Sequence, residues 1–122
     1  MLLFQENDCY QSLTTNVTLV VIADRGEQVV LAEMEGRKIT VSLERKDALN
    51  RTFQHPTKKG GYIVKLLGNN PGVASEMAER ILKLSTLNQG HILGNDPLKA
   101  SIIFAALERK AKLRESKRGK VQ

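Results

Sequence analysis

The side chains whose type and spacing best suit a chemical task lie close together near the C-terminus. Of the thirteen residues from Glu108 to Lys120, seven are Lys or Arg and two are acidic. Cations at this density suit electrostatic contact with phosphates, which gives affinity that falls steeply with salt and reads little sequence. We therefore predict a nucleic-acid-binding surface. Its residues are Arg109, Lys110, Lys112, Arg114, Lys117, Arg118 and Lys120.

The basic stretch is also compatible with two different roles. Lys and Arg favour the negative end of the helix dipole and keep a protein in solution, so the stretch could be a solvated helix end. An acidic protein partner or a membrane surface would also attract it.

A second, smaller basic group lies in the segment Lys58-Lys59-Gly60-Gly61. Glycines let a backbone approach a phosphate, and Lys58 and Lys59 could neutralise its charge. The spacing of a P-loop is absent, and no Ser or Thr follows the lysines to hold magnesium. The segment is therefore predicted first as a mobile hairpin tip, and Lys58 and Lys59 are secondary candidates that would help in nucleic-acid binding.

The remaining reactive side chains form no recognisable catalytic or metal-binding motif. His55 and His91 are the two histidines, and each lies apart from the partners that a zinc finger or a metalloprotease helix would need. Cys9 is the single cysteine, so it cannot form a disulfide within the chain. We expect a protein that is not an enzyme, with no metal and no cofactor.

Composition and charge agree with one basic face on a globular protein. Residues 1–50 hold five Lys or Arg and eight Asp or Glu, a net charge of −3, whereas residues 51–122 hold fourteen and five, a net charge of +9. Aromatic residues make up 4% of the chain and Trp is absent, so the aromatic platforms on which single-stranded bases usually stack are scarce. The lone cysteine and the lack of an export signal or a membrane segment predict a cytoplasmic location.

The first half of the chain predicts a β-meander. Three segments rich in β-branched residues are separated by turn signals, and in the third Ile39, Val41 and Leu43 alternate with polar residues. Residues 1–4 could form a short strand, residues 7–16 a polar loop, and residues 44–53 a short helix or an irregular link. Residues 62–67 predict a further strand that ends at Gly68. The three meander strands are residues 17–23, 28–34 and 37–43.

The second half predicts two amphipathic helices that pack as an antiparallel pair. Asn70 and Pro71 cap the first helix and Gly90 ends it. Asp96 and Pro97 begin the second, which continues into the basic stretch. Its predicted buried face consists of Ala100, Ile103, Phe104, Leu107 and Ala111.

Residues 1–51 resemble part of the carbon storage regulator (CsrA/RsmA) family, small dimeric proteins that bind GGA-containing mRNA leaders. The family's arginines are replaced here by Gln5-Glu6-Asn7 and by Leu43, so the resemblance implies a small dimerising β-core and a regulatory role without that RNA site. The matching positions are Met1-Leu2, Val17-Thr18, Gly26, Gln28-Val29, Ile39, Val41 and Glu44.

These patterns together predict an α+β protein with one domain over residues 1–122. Residues 1–67 form a small antiparallel β-meander or partial barrel, and residues 70–118 form two amphipathic helices with a basic C-terminal tail. The predicted function is non-catalytic binding of nucleic acid, RNA rather than DNA, in a regulatory or accessory role. The predicted partners allow a homodimer and exclude a membrane. The alternative is a protein-interaction module, such as a small inhibitor or assembly subunit, that docks through the acidic N-terminal sheet.

Overall fold

The α+β fold predicted from the sequence is confirmed by a computed structural model. It describes residues 2–54, 62–87 and 97–120, and at residues 54, 62, 84–87 and 114–120 it describes the backbone alone. Five antiparallel strands form a sheet in the order β4-β3-β2-β1-β6, and the two-residue β5 lies parallel to β6 at its edge. The elements in chain order are β1 Asp8–Ser12, β2 Val17–Asp24, β3 Gln28–Glu35, β4 Lys38–Arg45, α1 Lys46–Thr52, β5 Phe53–Gln54, β6 Tyr62–Asn69, α2 Pro71–Leu87 and α3 Pro97–Lys120.

The predicted meander of β2, β3 and β4 is present, with two tight turns. Gly26 and Gly36 take positive φ values of 92° and 60° between the strands, a backbone conformation that glycine adopts without strain. A bulge interrupts the β2–β3 register between Val21 and Ala23. Along β4, Ile39 and Val41 are buried and Leu43 is half-buried, as the alternating pattern predicted. The segment 44–53, where a short helix or an irregular link is predicted, contains α1.

The largest departure from the sequence prediction is β1, which lies in the centre of the sheet where a polar loop was expected. The polar residues of this segment predicted a loop, but Asp8 is buried in a strand because hydrogen bonds satisfy its carboxylate. The carboxylate accepts from the Gln5 N–H (2.9 Å), the Tyr10 hydroxyl (3.0 Å) and the Asn69 side-chain amide (3.0 Å). Cys9 and Tyr10 face opposite sides of the sheet and are both buried. The short strand predicted at residues 1–4 is wrong for residues 2–4, which form no strand.

The strand predicted to end at Gly68 continues through it to Asn69. Gly68 pairs with Cys9, whereas Leu66 pairs with Tyr10, so the ladder contains a bulge at this point. Gly68 accommodates the bulge with a φ of 150°, which a residue with a Cβ rarely adopts.

Apolar residues cover both faces of the sheet. Val20 and Ile22 pack with residues of α2 and α3 on one face, which makes the larger core. Leu19 and Val21, which alternate with them, pack with Phe4, α1 and β5 residues on the other face. The sheet is therefore held between the helix pair and the N-terminal segment.

The two predicted helices pack against each other and against the sheet. Asn70 caps α2, since its side-chain oxygen accepts a hydrogen bond from the Val73 N–H at 3.1 Å. On α3, Ile103 and Leu107 are fully buried, but Phe104 is 36% exposed, so its predicted place in the buried face is wrong. None of the described helices is long and apolar enough to cross a bilayer. The predicted loop at residues 55–61, the helix end at Gly90 and the Asp96 cap lie outside the described residues.

The burial of Leu107 predicts that α3 depends on its contact with the sheet. Leu107→Ala should lower the free energy of unfolding by about 2–5 kcal/mol, because it removes a fully buried side chain and leaves a cavity. Urea unfolding measures the loss. Leu113→Ala, at a position 48% exposed on the same helix, should change it by about 0.5 kcal/mol or less. Equal losses in the two variants would show that α3 is not held by this face.

Candidate nucleic-acid interface

Lys110, one of the cations predicted to contact phosphate, lies inside the protein. Its side chain is 4% exposed, and its ammonium donates hydrogen bonds to Glu6 Oε2 and to Asn7 Oδ1, both at 2.8 Å. The charge is therefore neutralised by a carboxylate 104 residues away in the chain. This corrects the sequence prediction at Lys110: its ammonium is buried and already paired, so it supports α3 and is not accessible to a phosphate.

The partners of Lys110, Glu6 and Asn7, form a turn just before β1, called here the N-terminal turn, and hydrogen bonds of its backbone hold it in place. Asn7 takes a φ of 73°, which Asn tolerates better than most residues, and its N–H donates to the Val21 carbonyl at 2.8 Å. Its carbonyl accepts from the Asn70 N–H at 2.9 Å, while the Glu6 carbonyl accepts from the Asn69 side chain at 2.8 Å. Hydrogen bonds to β2, to the end of β6 and to the start of α2 thus fix the positions from which Glu6 and Asn7 contact Lys110.

The electrostatic environment of Glu6 favours its charged form. Burial alone would raise its pKa, but the hydrogen bond and the charge of Lys110, with help from the Asp24 N–H and the Arg109 guanidinium, bring the pKa below its ordinary value. The carboxylate is therefore charged at neutral pH.

The other predicted cations with described side chains face solvent. Arg109 is 71% exposed, and its guanidinium lies 3.8 Å from Glu6 Oε2, a long contact that leaves it accessible. Lys112 is exposed, and no carboxylate among the side chains described at residues 2–53, 63–83 and 97–113 pairs with it. Arg114, Lys117, Arg118 and Lys120 lie on the helical backbone of α3, and Lys58 and Lys59 fall outside the described residues.

A cleft of about 170 Å³ lies beside the Glu6–Lys110 ion pair, between α3 and the turn that follows β2. Arg25 and Arg109 both line it. Sequence reasoning missed Arg25, Glu6 and Asn7, because their meeting with α3 depends on chain segments far apart in sequence. A signal for Lys110 was available: it follows Ile103 and Leu107 at helical spacing, which places it on the buried face.

An acidic group lies on one face of β3 and β4. Glu33 and Glu35 are two residues apart in β3 and therefore share one face with Val29. Glu44 of β4 pairs with Val29 and lies on the same face. Burial raises the pKa of Glu33, and the charges of Glu35 and Glu44 raise it further, against the opposing effect of Lys38. These three glutamates thus form an acidic surface region on the sheet, whereas Glu6 and Asp24 lie beside α3.

The side chains considered for catalysis have no activating environment where the structure describes them. Cys9 is buried, and its thiol donates a hydrogen bond to the Asn7 carbonyl at 3.7 Å. Burial raises the pKa of Cys9, as does the charge of Asp8, so the reactive thiolate is disfavoured. Among the side chains that the structure describes, at residues 2–53, 63–83 and 97–113, no three His, Cys, Asp or Glu are grouped so that they could hold a metal ion. His55 and His91 lie outside those ranges.

Comparisons with known proteins add no information on function. No protein-family model, no curated protein and no solved structure matches the chain. The resemblance to the carbon storage regulator family therefore stays a prediction from the residues.

The ion pair predicts an asymmetric response to removal of its two partners. Glu6→Ala should cost about 3 kcal/mol of unfolding free energy, because it leaves the ammonium of Lys110 buried without a counter-charge. Lys110→Met should cost about 1 kcal/mol, since the thioether chain fills the apolar space and the freed Glu6 carboxylate, 30% exposed, meets water. Urea unfolding distinguishes the two. Arg45→Gln, which removes an exposed pair with Asp47, is the control and should unfold like the wild type. Equal losses of unfolding free energy in Glu6→Ala and Lys110→Met would contradict the argument that Lys110 is more deeply buried than Glu6.

The lowered pKa of Glu6 predicts a specific pH dependence of stability. Because the folded-state pKa lies below the ordinary 4.5, the pair stabilises the protein above that pH and loses its effect as pH falls through the folded-state pKa. The stability difference between wild type and Glu6→Gln should be constant near neutral pH and shrink below about pH 4.5. Denaturant titrations from neutral to acid pH measure it. A difference that grows on acidification would show that the carboxylate is not stabilised in the fold.

Proposed function

We propose that this protein binds nucleic acid without catalysing a reaction, in a regulatory or accessory role. The observation that carries the proposal is that the 24-residue helix α3 has both buried residues that anchor it and exposed cations. Ile103, Leu107 and Lys110 fix the helix to the body of the protein, while Arg109 and Lys112 face solvent at the start of the basic stretch. A rigid helix that presents cations in this way suits contact with a phosphate backbone.

The proposed contact surface omits Lys110, whose charge is already neutralised. Each remaining cation that meets a phosphate releases condensed counterions, which makes the affinity strongly dependent on salt. The surface consists of Arg109, Lys112, Arg114, Lys117, Arg118 and Lys120, with Lys58 and Lys59 as helpers.

RNA is the preferred partner in this proposal, and the cytoplasm the preferred location. The preference for RNA rests on the resemblance of residues 1–51 to the carbon storage regulator family, whose members bind RNA, although the arginines of that family's RNA site are replaced in this chain. The buried thiol of Cys9, with its raised pKa, supports a role without nucleophilic catalysis. Mechanistically, α3 supplies affinity through charge and leaves sequence recognition to other contacts.

A second candidate function is a protein-interaction module that docks through the acidic face of β3 and β4. The grouping of Glu33, Glu35 and Glu44 favours it, since mutual repulsion at this face would be relieved by a basic partner. The triple variant with Gln at these three positions separates the two functions. It should keep nucleic-acid binding and lose a partner that docks on the sheet.

Neutralising the basic stretch should remove most of the RNA affinity. In a variant with Lys112, Arg114, Lys117 and Arg118 replaced by Gln, the slope of log K against log salt concentration for single-stranded RNA should become shallower by about 3, at roughly 0.7 for each lost phosphate contact. Fluorescence anisotropy at several salt concentrations measures both affinity and slope.

The matched control removes the same charge from elsewhere on the surface. Arg37, Lys38, Arg51 and Lys65 are exposed and lie outside α3, so their replacement by Gln should preserve most of the affinity. If both variants lose affinity equally, net charge alone explains binding and α3 is not the contact surface. Binding by the wild type that is insensitive to salt would also contradict the proposal.

A further inference from the structure

The cleft beside α3 combines an apolar floor with a charged rim. Its volume is about 170 Å³, below the roughly 300 Å³ at which pockets for whole small-molecule ligands begin. Small side chains create the space. The apolar lining comes from Ile22 and Ala23 of β2 and from Ile102, Ala105 and Ala106 of α3.

The two carboxylates that line the cleft are already neutralised by their own partners. Glu6 is paired with Lys110 at 2.8 Å. Asp24 is paired with Lys46 at 2.9 Å and accepts a hydrogen bond from the Gly26 N–H at 2.9 Å. Neither carboxylate therefore presents an uncompensated negative charge to an anion in the cleft.

Among the described side chains, no carboxylate pairs with Arg25, and Arg109 has only one long contact with a carboxylate. Arg25 is exposed on the turn after β2, where its backbone N–H donates to the Gln28 carbonyl at 2.8 Å, and no carboxylate in the described part of the chain pairs with its side chain. Arg109 has the long 3.8 Å contact with Glu6. Planar guanidinium groups bind phosphate through paired donors and also stack on the faces of nucleobases.

We propose that this cleft holds one unstacked base of a single-stranded nucleic acid, with Arg25 and Arg109 contacting the base face or its flanking phosphate. The inference rests on the proposed nucleic-acid binding and adds a preference for single strands. The apolar floor covers one face of the base, and the guanidinium groups replace the aromatic platform that this chain largely lacks. A base within a duplex is stacked on both faces and would first have to be unpaired and unstacked, so the cleft favours single strands.

Filling the cleft tests the inference. Ala105 is exposed, so Ala105→Leu should fold normally while its side chain occupies the space for the base. We expect about tenfold weaker binding of a 12-nucleotide single-stranded RNA by fluorescence anisotropy, with an unchanged salt slope. Affinity for the same sequence as a duplex should not change. Ser101→Leu, at an exposed position of α3 outside the cleft, is the matched control and should bind single-stranded and duplex RNA like the wild type.

A direct probe separates this inference from the proposed function. In amide NMR titrations, uridine monophosphate should shift the signals of Arg25, Ala105 and Ala106, and inorganic phosphate alone should leave the Ala105 signal in place. Equal shifts with phosphate would make the cleft an anion site and overturn the inference. The cleft inference fails and nucleic-acid binding stands if Ala105→Leu binds single strands like the wild type while the variant with Gln at positions 112, 114, 117 and 118 does not. If the monophosphate binds in the cleft but the wild type binds no RNA, the proposed function fails and the cleft remains a nucleotide site.

Discussion

The ion pair between Glu6 and Lys110 joins the two ends of the described chain. Lys110 lies on the buried side of α3, and its ammonium can be buried only because a carboxylate and the Asn7 amide oxygen meet it at 2.8 Å. Those partners sit on a turn that is itself bonded to β2 and to the start of α2. The direction in which α3 leaves the sheet therefore depends on an N-terminal turn that precedes the first strand.

This constraint gives the basic helix a structural half and a proposed binding half. Up to Lys110, the inward side of α3 is committed to the core, and the exposed cations with described side chains in the basic stretch are Arg109 and Lys112. Because the base of the helix is fixed, the proposed binding of a polyanion would cost less entropy than binding through a disordered tail. Position on the helix, and not charge alone, decides that Lys110 is buried and Lys112 is exposed.

The charge asymmetry of the sequence becomes a spatial separation in the fold. Glu33, Glu35 and Glu44 gather on one face of the β-meander, whereas the carboxylates that line the cleft beside α3, Glu6 and Asp24, are each paired with a lysine. Negative charge at the cleft is thus neutralised, while the three glutamates of the meander repel one another. That arrangement limits repulsion of an anion at α3 and keeps the acidic face available for a different kind of contact.

The sequence by itself determined the meander, the capped helix α2 and most of the inward face of α3, because local periodicity and turn residues encode such elements. It did not reveal β1, whose buried Asp8 is satisfied by hydrogen bonds from Gln5, Tyr10 and Asn69 that form only when distant segments meet. The same limit applied to the candidate site. Composition located the cations, but only the tertiary structure decided that Lys110 is buried against Glu6 and that Arg25 joins Arg109, since these contacts depend on how the N-terminal turn and the sheet meet α3.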